Sequence, residues 1–115
     1  MQTNIRAAMA YQAAAAHRGW RAQEADVFRR VTGALRAGRH AGPVARVRAL
    51  ADNRRLWLAV VDLVRDPDNA LPEDLRAAIA SVGLAVQREM NREAPDFDFL
   101  IAVNENMADG LSGMA

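Results

Sequence analysis

Three breaks constrain this chain more than anything else in it. AGRHAGP (37–43), RDPDNALP (65–72) and EAPD (93–96) hold all four of its prolines. Proline removes a backbone donor and clashes inside a helix, whereas its fixed φ suits a helix start. Between the breaks, Ala, Arg, Leu and Glu dominate, all good helix formers, and β-branched residues never alternate with polar ones over a strand length. The chain therefore reads as helix throughout. Residues 1–20 form an arm or a first helix that ends or bends near Gly19. A helix follows from about Arg21 to Ala37, with Glu24, Val27, Phe28, Val31, Ala34 and Leu35 in its stripe. The longest helix runs from about Pro43 to Val64. Pro67 ends it, and Pro72 sits in the first turn of the next, where Glu73 and Asp74 suit the positive end of the helix dipole. Leu75, Ala78, Ile79, Val82, Val86 and Met90 line that helix, and Pro95 ends it. Asp96 or Asp98 caps a last helix with Phe97, Leu100, Ile101, Met107 and Leu111 inward. The expected fold is all-α: a small antiparallel bundle of four main helices (21–115), with or without an N-terminal helical arm (1–20).

At 115 residues the chain can build one core but not two. It contains no cysteine, so disulfides, thiolate zinc sites and thiol catalysis are out of reach. His17 and His40 are isolated, read as surface residues, and cannot make a metal site alone. GALRAG is not a phosphate-binding loop, and no nucleophile–base constellation is visible. No apolar run approaches the roughly 18 residues that span a bilayer. The alanine-rich AAMAYQAAAA is too weakly hydrophobic for a signal-peptide core. These readings point to a cytoplasmic, non-enzymatic protein with no cofactor, no metal and no membrane insertion.

The net charge of +1 conceals an asymmetry. Residues 1–65 carry twelve arginines against Glu24, Asp26, Asp52 and Asp62, a balance of 12 − 4 = +8. Residues 66–115 carry Arg76, Arg88 and Arg92 against ten acids, a balance of 3 − 10 = −7. A basic half could bind nucleic acid. Alternatively, the two halves could pack together and neutralise the field. The second reading is favoured, because the aromatic and Gly-rich elements of RNA-binding modules are missing. Twenty-five alanines and fifteen arginines without a lysine reflect a coding bias rather than a function.

The stretch DNRRLWLAVV (52–61) drives charge directly into the most apolar turn of the chain. At about 100° per residue, Val47, Leu50, Ala51, Trp57, Leu58, Val61 and Val64 share one side of the central helix. Arg54 falls within that stripe, Asn53 at its edge, and Asp52 and Arg55 point away. Leu56, Val60 and Leu63 fill the other side, so beyond Arg55 the helix is apolar nearly all round, as in a helix surrounded by partners. Asn104 repeats the oddity in the last helix. A buried arginine or amide needs a partner or solvent. Arg54 and Asn104 are therefore either internal fixtures that set register or the border of a groove for a partner. Trp57 reads as core before it reads as hot spot. Arg54, Arg55, Trp57, Asn53 and Asn104 form the candidate partner-binding set, with Arg54 placed at the groove because Arg54–Arg55 abuts the apolar turn.

DNRRLWLAVVDLVRDPDNALPEDLRAAIASVG followed by FLIAVNENMADGL resembles the FlaF family of bacterial flagellar biosynthesis regulators. Asn53, Leu56 and Trp57 match, then Asn69, Leu71, Pro72, Leu75 and Arg76, then Leu100, Ile101, Asn104, Gly110 and Leu111. Arg21, Glu24 and Ala25 fit more loosely, and no Ser-Pro precedes Arg21. The resemblance spans roughly Arg21 to Leu111. It implies an accessory protein needed for flagellin production or export, which binds flagellin and opposes FlbT, a companion that represses flagellin translation. A small helical bundle suits capture of an amphipathic helix in a groove. The alternative from another class is an RNA- or DNA-binding regulator acting through the arginine-rich half; nucleic acid is not the expected partner.

Overall fold

The computed structural model describes residues 24–113, with side chains to Gly110. The expectations for residues 1–20, for Arg21 and for the Leu111 side chain lie outside the described residues. Four helices and no strand are present among the described residues. They are α1 (described over 24–38), α2 (Pro43–Arg65), α3 (Glu73–Met90) and α4 (Phe97–Gly113). The bundle expectation holds.

Local chemistry sets each boundary. Gly42, the residue before α2, has φ 101°, a conformation other residues rarely adopt, and Pro43 then opens the helix. α2 stops at Arg65, ahead of Pro67, and the loop beyond is knitted by asparagine and aspartate. Asn69 Nδ2 donates to the Leu63 carbonyl (2.9 Å), and its Oδ1 accepts from the Leu71 amide (2.9 Å). Arg76 of α3 reaches back to the carbonyls of Val64 (3.5 Å) and Asp66 (3.3 Å), where α2 has run out of amide donors. Pro72 precedes α3, which begins at Glu73. α3 ends at Met90, five residues before Pro95, so proline is not what stops it. At the start of α4 the capping residue is Asp96, not Asp98. Its Oδ1 accepts from the Phe99 amide (3.2 Å), and its own amide donates to Glu89 (3.0 Å).

One core draws on all four helices: Phe28 and Leu35 from α1, Leu56, Trp57 and Val60 from α2, Val86 and Met90 from α3, Phe97, Leu100 and Ile101 from α4. α2 is its axle. Phe28 meets Trp57 edge to face at 5.7 Å. Gly83 brings α3 so close that an added Cβ would lie 2.5 Å from Val61 Cγ2. Gly38 lets α1 approach α2 less tightly, since an added Cβ would lie 3.0 Å from the Ala45 carbonyl oxygen and 3.3 Å from Ala49 Cβ. The stripes of α1, α3 and α4 match expectation in outline, except that Ala78 is exposed and Thr32, Gly83 and Ala108 are buried.

The face of α2 differs from expectation. Ala49, Asn53, Leu56, Trp57, Val60, Val61 and Val64 are buried, whereas Val47 (65%) and Leu58 (49%) are exposed. Asn53 is the centre of the buried face rather than its edge, and Arg54 lies outside it. The face is turned by about one residue, roughly 100°. With apolar residues on every side after Arg55, helical periodicity alone leaves the phase of α2 open. The bundle makes a polar centre possible by supplying Asn53 with partners.

Candidate functional site

The five residues singled out in sequence do not form one surface. Asn53, Trp57 and Asn104 have no solvent exposure and are joined in a single chain of hydrogen bonds. The indole N–H of Trp57 can only donate, and it donates to Asn104 Oδ1 at 2.9 Å. That leaves the Asn104 amide nitrogen to donate to Asn53 Oδ1, at 2.7 Å. The Asn53 nitrogen in turn faces Met90 Sδ at 3.3 Å, a weak acceptor that ends the chain. Three helices are thus pinned in register at one point, α2 to α4 and α2 to α3. A partner cannot reach these three side chains in the folded bundle.

Arg54 and Arg55 are exposed and diverge. Arg54 lies at the α2–α3 seam, where its guanidinium makes a long contact (3.4 Å) with the Met90 carbonyl at the end of α3. Leu58, Gln87 and Asn91 complete a shallow hollow there. Arg55 lies on the α1 side, paired with Asp52. Arg54 is neither an internal fixture nor part of the apolar stripe.

The sequence reading missed a trough between α1 and α2. Two adjoining hollows of about 490 Å³ each share Ala34 and Asp52 and run along α1 from Glu24 to Gly38 and along α2 from Val44 to Ala59. Val27, Val31, Ala34 and Ala37 line the α1 side. Val44, Ala45, Ala49, Leu56 and Ala59 line the α2 side. Arg30, Arg48 and Arg55 stand on the rim with Glu24 and Asp52. Burial holds the Glu24 carboxyl above its ordinary pKa of 4.5. The available signal was small residues at three-and-four spacing on both sides of AGRHAGP.

The opposite side of α1 faces α4 through charge. Arg36 pairs with Glu105, and Arg39 with Asp98 at 2.5 Å. Arg46 donates to the Arg39 carbonyl (2.7 Å) and lies over the Phe97 ring at 4.4 Å. Basic and acidic halves therefore meet in the folded bundle. Among the described residues no group of three or more His, Cys, Asp or Glu could hold a metal ion, and no helix is long and apolar enough to cross a membrane.

The sequence profile of the flagellar protein FlaF matches residues 7–111, nearly the whole chain. The chain belongs to the FlaF family. The match begins at residue 7, well ahead of Arg21, so most of residues 1–20 belong to the family pattern as well. No curated protein and no solved structure matches the chain. Of the positions that carried the resemblance, Asn53, Trp57 and Asn104 form the buried chain, while Asn69 and Arg76 tie off the end of α2.

Proposed function

We propose that this FlaF-family protein is a non-enzymatic, cytoplasmic factor that binds flagellin before export and so supports flagellin synthesis or export, in functional opposition to FlbT. The family match over residues 7–111 carries this reading. The bundle adds physical support, because the family-matching polar residues serve architecture and leave an accessible apolar trough for a partner. Unexported flagellin has amphipathic terminal segments, the kind of chain a helical groove accepts. The test is capture of purified monomeric flagellin by the purified full-length protein, with and without nuclease. Stoichiometric, nuclease-resistant capture is expected. No association at tens of micromolar of each protein would overturn the reading, and capture that nuclease abolishes would favour the nucleic-acid alternative.

A further inference from the structure

The α1–α2 trough is an extended apolar concavity on the bundle surface. Its α1 side repeats at Val27, Val31, Ala34 and its α2 side at Ala45, Ala49, Leu56, so both walls follow helical periodicity. Small side chains on facing helices form a groove into which a third helix can lay a ridge. The span from Glu24 to Ala37 on α1 is about 20 Å at 1.5 Å per residue, close to four helical turns. Val44, at the mouth, is 65% exposed.

The rim says what charge the occupant carries. Arg55 is already paired with Asp52, and burial pushes Glu24 toward its neutral form. Arg30 and Arg48 are exposed, one on each wall, and neither pairs with a carboxylate among the described residues. Arg36 and Arg39, by contrast, are consumed by α4. A helix lying in the trough would therefore set its flanks against two free guanidinium groups on opposite sides.

We infer that the α1–α2 trough is a docking site for an amphipathic helix of a partner protein, about four turns long, with an apolar stripe flanked by carboxylates. The inference rests on the flagellin-binding reading for the identity of the natural occupant, but not for the chemistry of the site. Arg30 and Arg48 steer and fix the flanks by charged hydrogen bonds, and the alanine walls admit the apolar stripe closely.

Two probes separate the inference from the reading beneath it. One is a synthetic 18-residue helix with a Leu/Ala stripe and glutamates on both flanks, compared with the same helix flanked by lysines. The other is monomeric flagellin. Binding is measured by titration calorimetry against the full-length protein and three variants: Arg30→Glu with Arg48→Glu, Ala34→Trp, and Arg54→Glu as the control on the α2–α3 side. Circular dichroism melts establish that each variant folds. The glutamate-flanked helix should bind at least tenfold more tightly than the lysine-flanked one. Both trough variants should weaken it at least tenfold, and Arg54→Glu should leave it within twofold. Binding of the peptide but not flagellin would keep the site and reject flagellin as its occupant. Flagellin binding that ignores both trough variants would place that partner elsewhere, and peptide binding that ignores them would overturn the inference. Failure of both probes would overturn it too, as would self-association of the wild-type chain that the trough variants abolish.

Discussion

Asn104 shows how one polar side chain can organise an apolar interior. Its carbonyl satisfies the Trp57 indole and its amide satisfies Asn53, so removing it strands two wholly buried groups at once. Asn104→Ala should cost about 2–4 kcal/mol, from roughly 1–3 kcal/mol for each unmet buried group with partial relaxation. Asn106→Ala, two positions along on the exposed side of α4, should change stability by no more than about 0.5 kcal/mol. Urea titration of both proteins checks the contrast, and equal small losses would mean that the buried chain contributes nothing. Glu24 offers a pH-dependent counterpart. Its folded pKa lies above 4.5 because burial disfavours the anion, so the folded state holds a proton more readily than the unfolded state. Ionisation of Glu24 then subtracts from stability as pH rises above about 4.5, and nothing is subtracted below that. Glu24→Gln should melt at a higher temperature than wild type at pH 7, with the gap closing by pH 3.5. A gap that stays constant or widens on acidification would contradict this account.

The helices themselves were legible where their signals are local. AGRHAGP, RDPDNALP and EAPD each act through one or two backbone positions, and each lies at an observed connection. The phase of α2 was not legible. Which side of it is buried depends on α4, whose Asn104 lies 51 residues beyond Asn53 and turns a polar residue into the natural centre of the face. The trough was hidden for a related reason, since alanine stripes read as plain helix propensity until two of them are seen side by side. Glycine shows how closely the elements approach. Gly33 sits in α1 with nothing within 4 Å of an added Cβ, so Gly33→Ala should stabilise by up to about 1 kcal/mol through helix propensity. Gly83 has the same propensity to gain, but its new methyl would meet Val61, whose branched Cβ holds its rotamer stiffly. Overpacking costs about 1–3 kcal/mol, so Gly83→Ala should be destabilising on balance. Thermal melts of the two variants should move in opposite directions, and a rise in both would mean that α2 and α3 separate more easily than the Gly83 contact suggests.

Charge is what the molecule as a whole resolves. The sequence places +8 in residues 1–65 and −7 in residues 66–115. In the bundle, Arg36 of α1 and Arg39 just beyond it face Glu105 and Asp98 of α4. Each of these exposed pairs contributes little to stability, about 0–1 kcal/mol. Their larger consequence is to place carboxylates beside Arg36 and Arg39. Nucleic-acid affinity rises with the number of phosphates that basic side chains can neutralise, and it falls steeply with salt. Carboxylates interleaved with the arginines lower that number and repel the phosphates directly. The full-length protein should therefore bind flagellin mRNA no more tightly than about 10 μM at physiological salt, within the usual range of non-specific binding. Replacing the acids in Asp98→Lys with Glu105→Lys should free both arginines and add two cations to the same face. RNA binding by that variant should strengthen at least tenfold at low salt, with a steeper dependence of log affinity on log salt, while its melting temperature falls only slightly. Filter binding of both proteins across a salt series measures the difference. Submicromolar, steeply salt-dependent binding by the wild-type protein would show that the acidic half fails to mask the basic one, and would move the protein into the nucleic-acid-binding class.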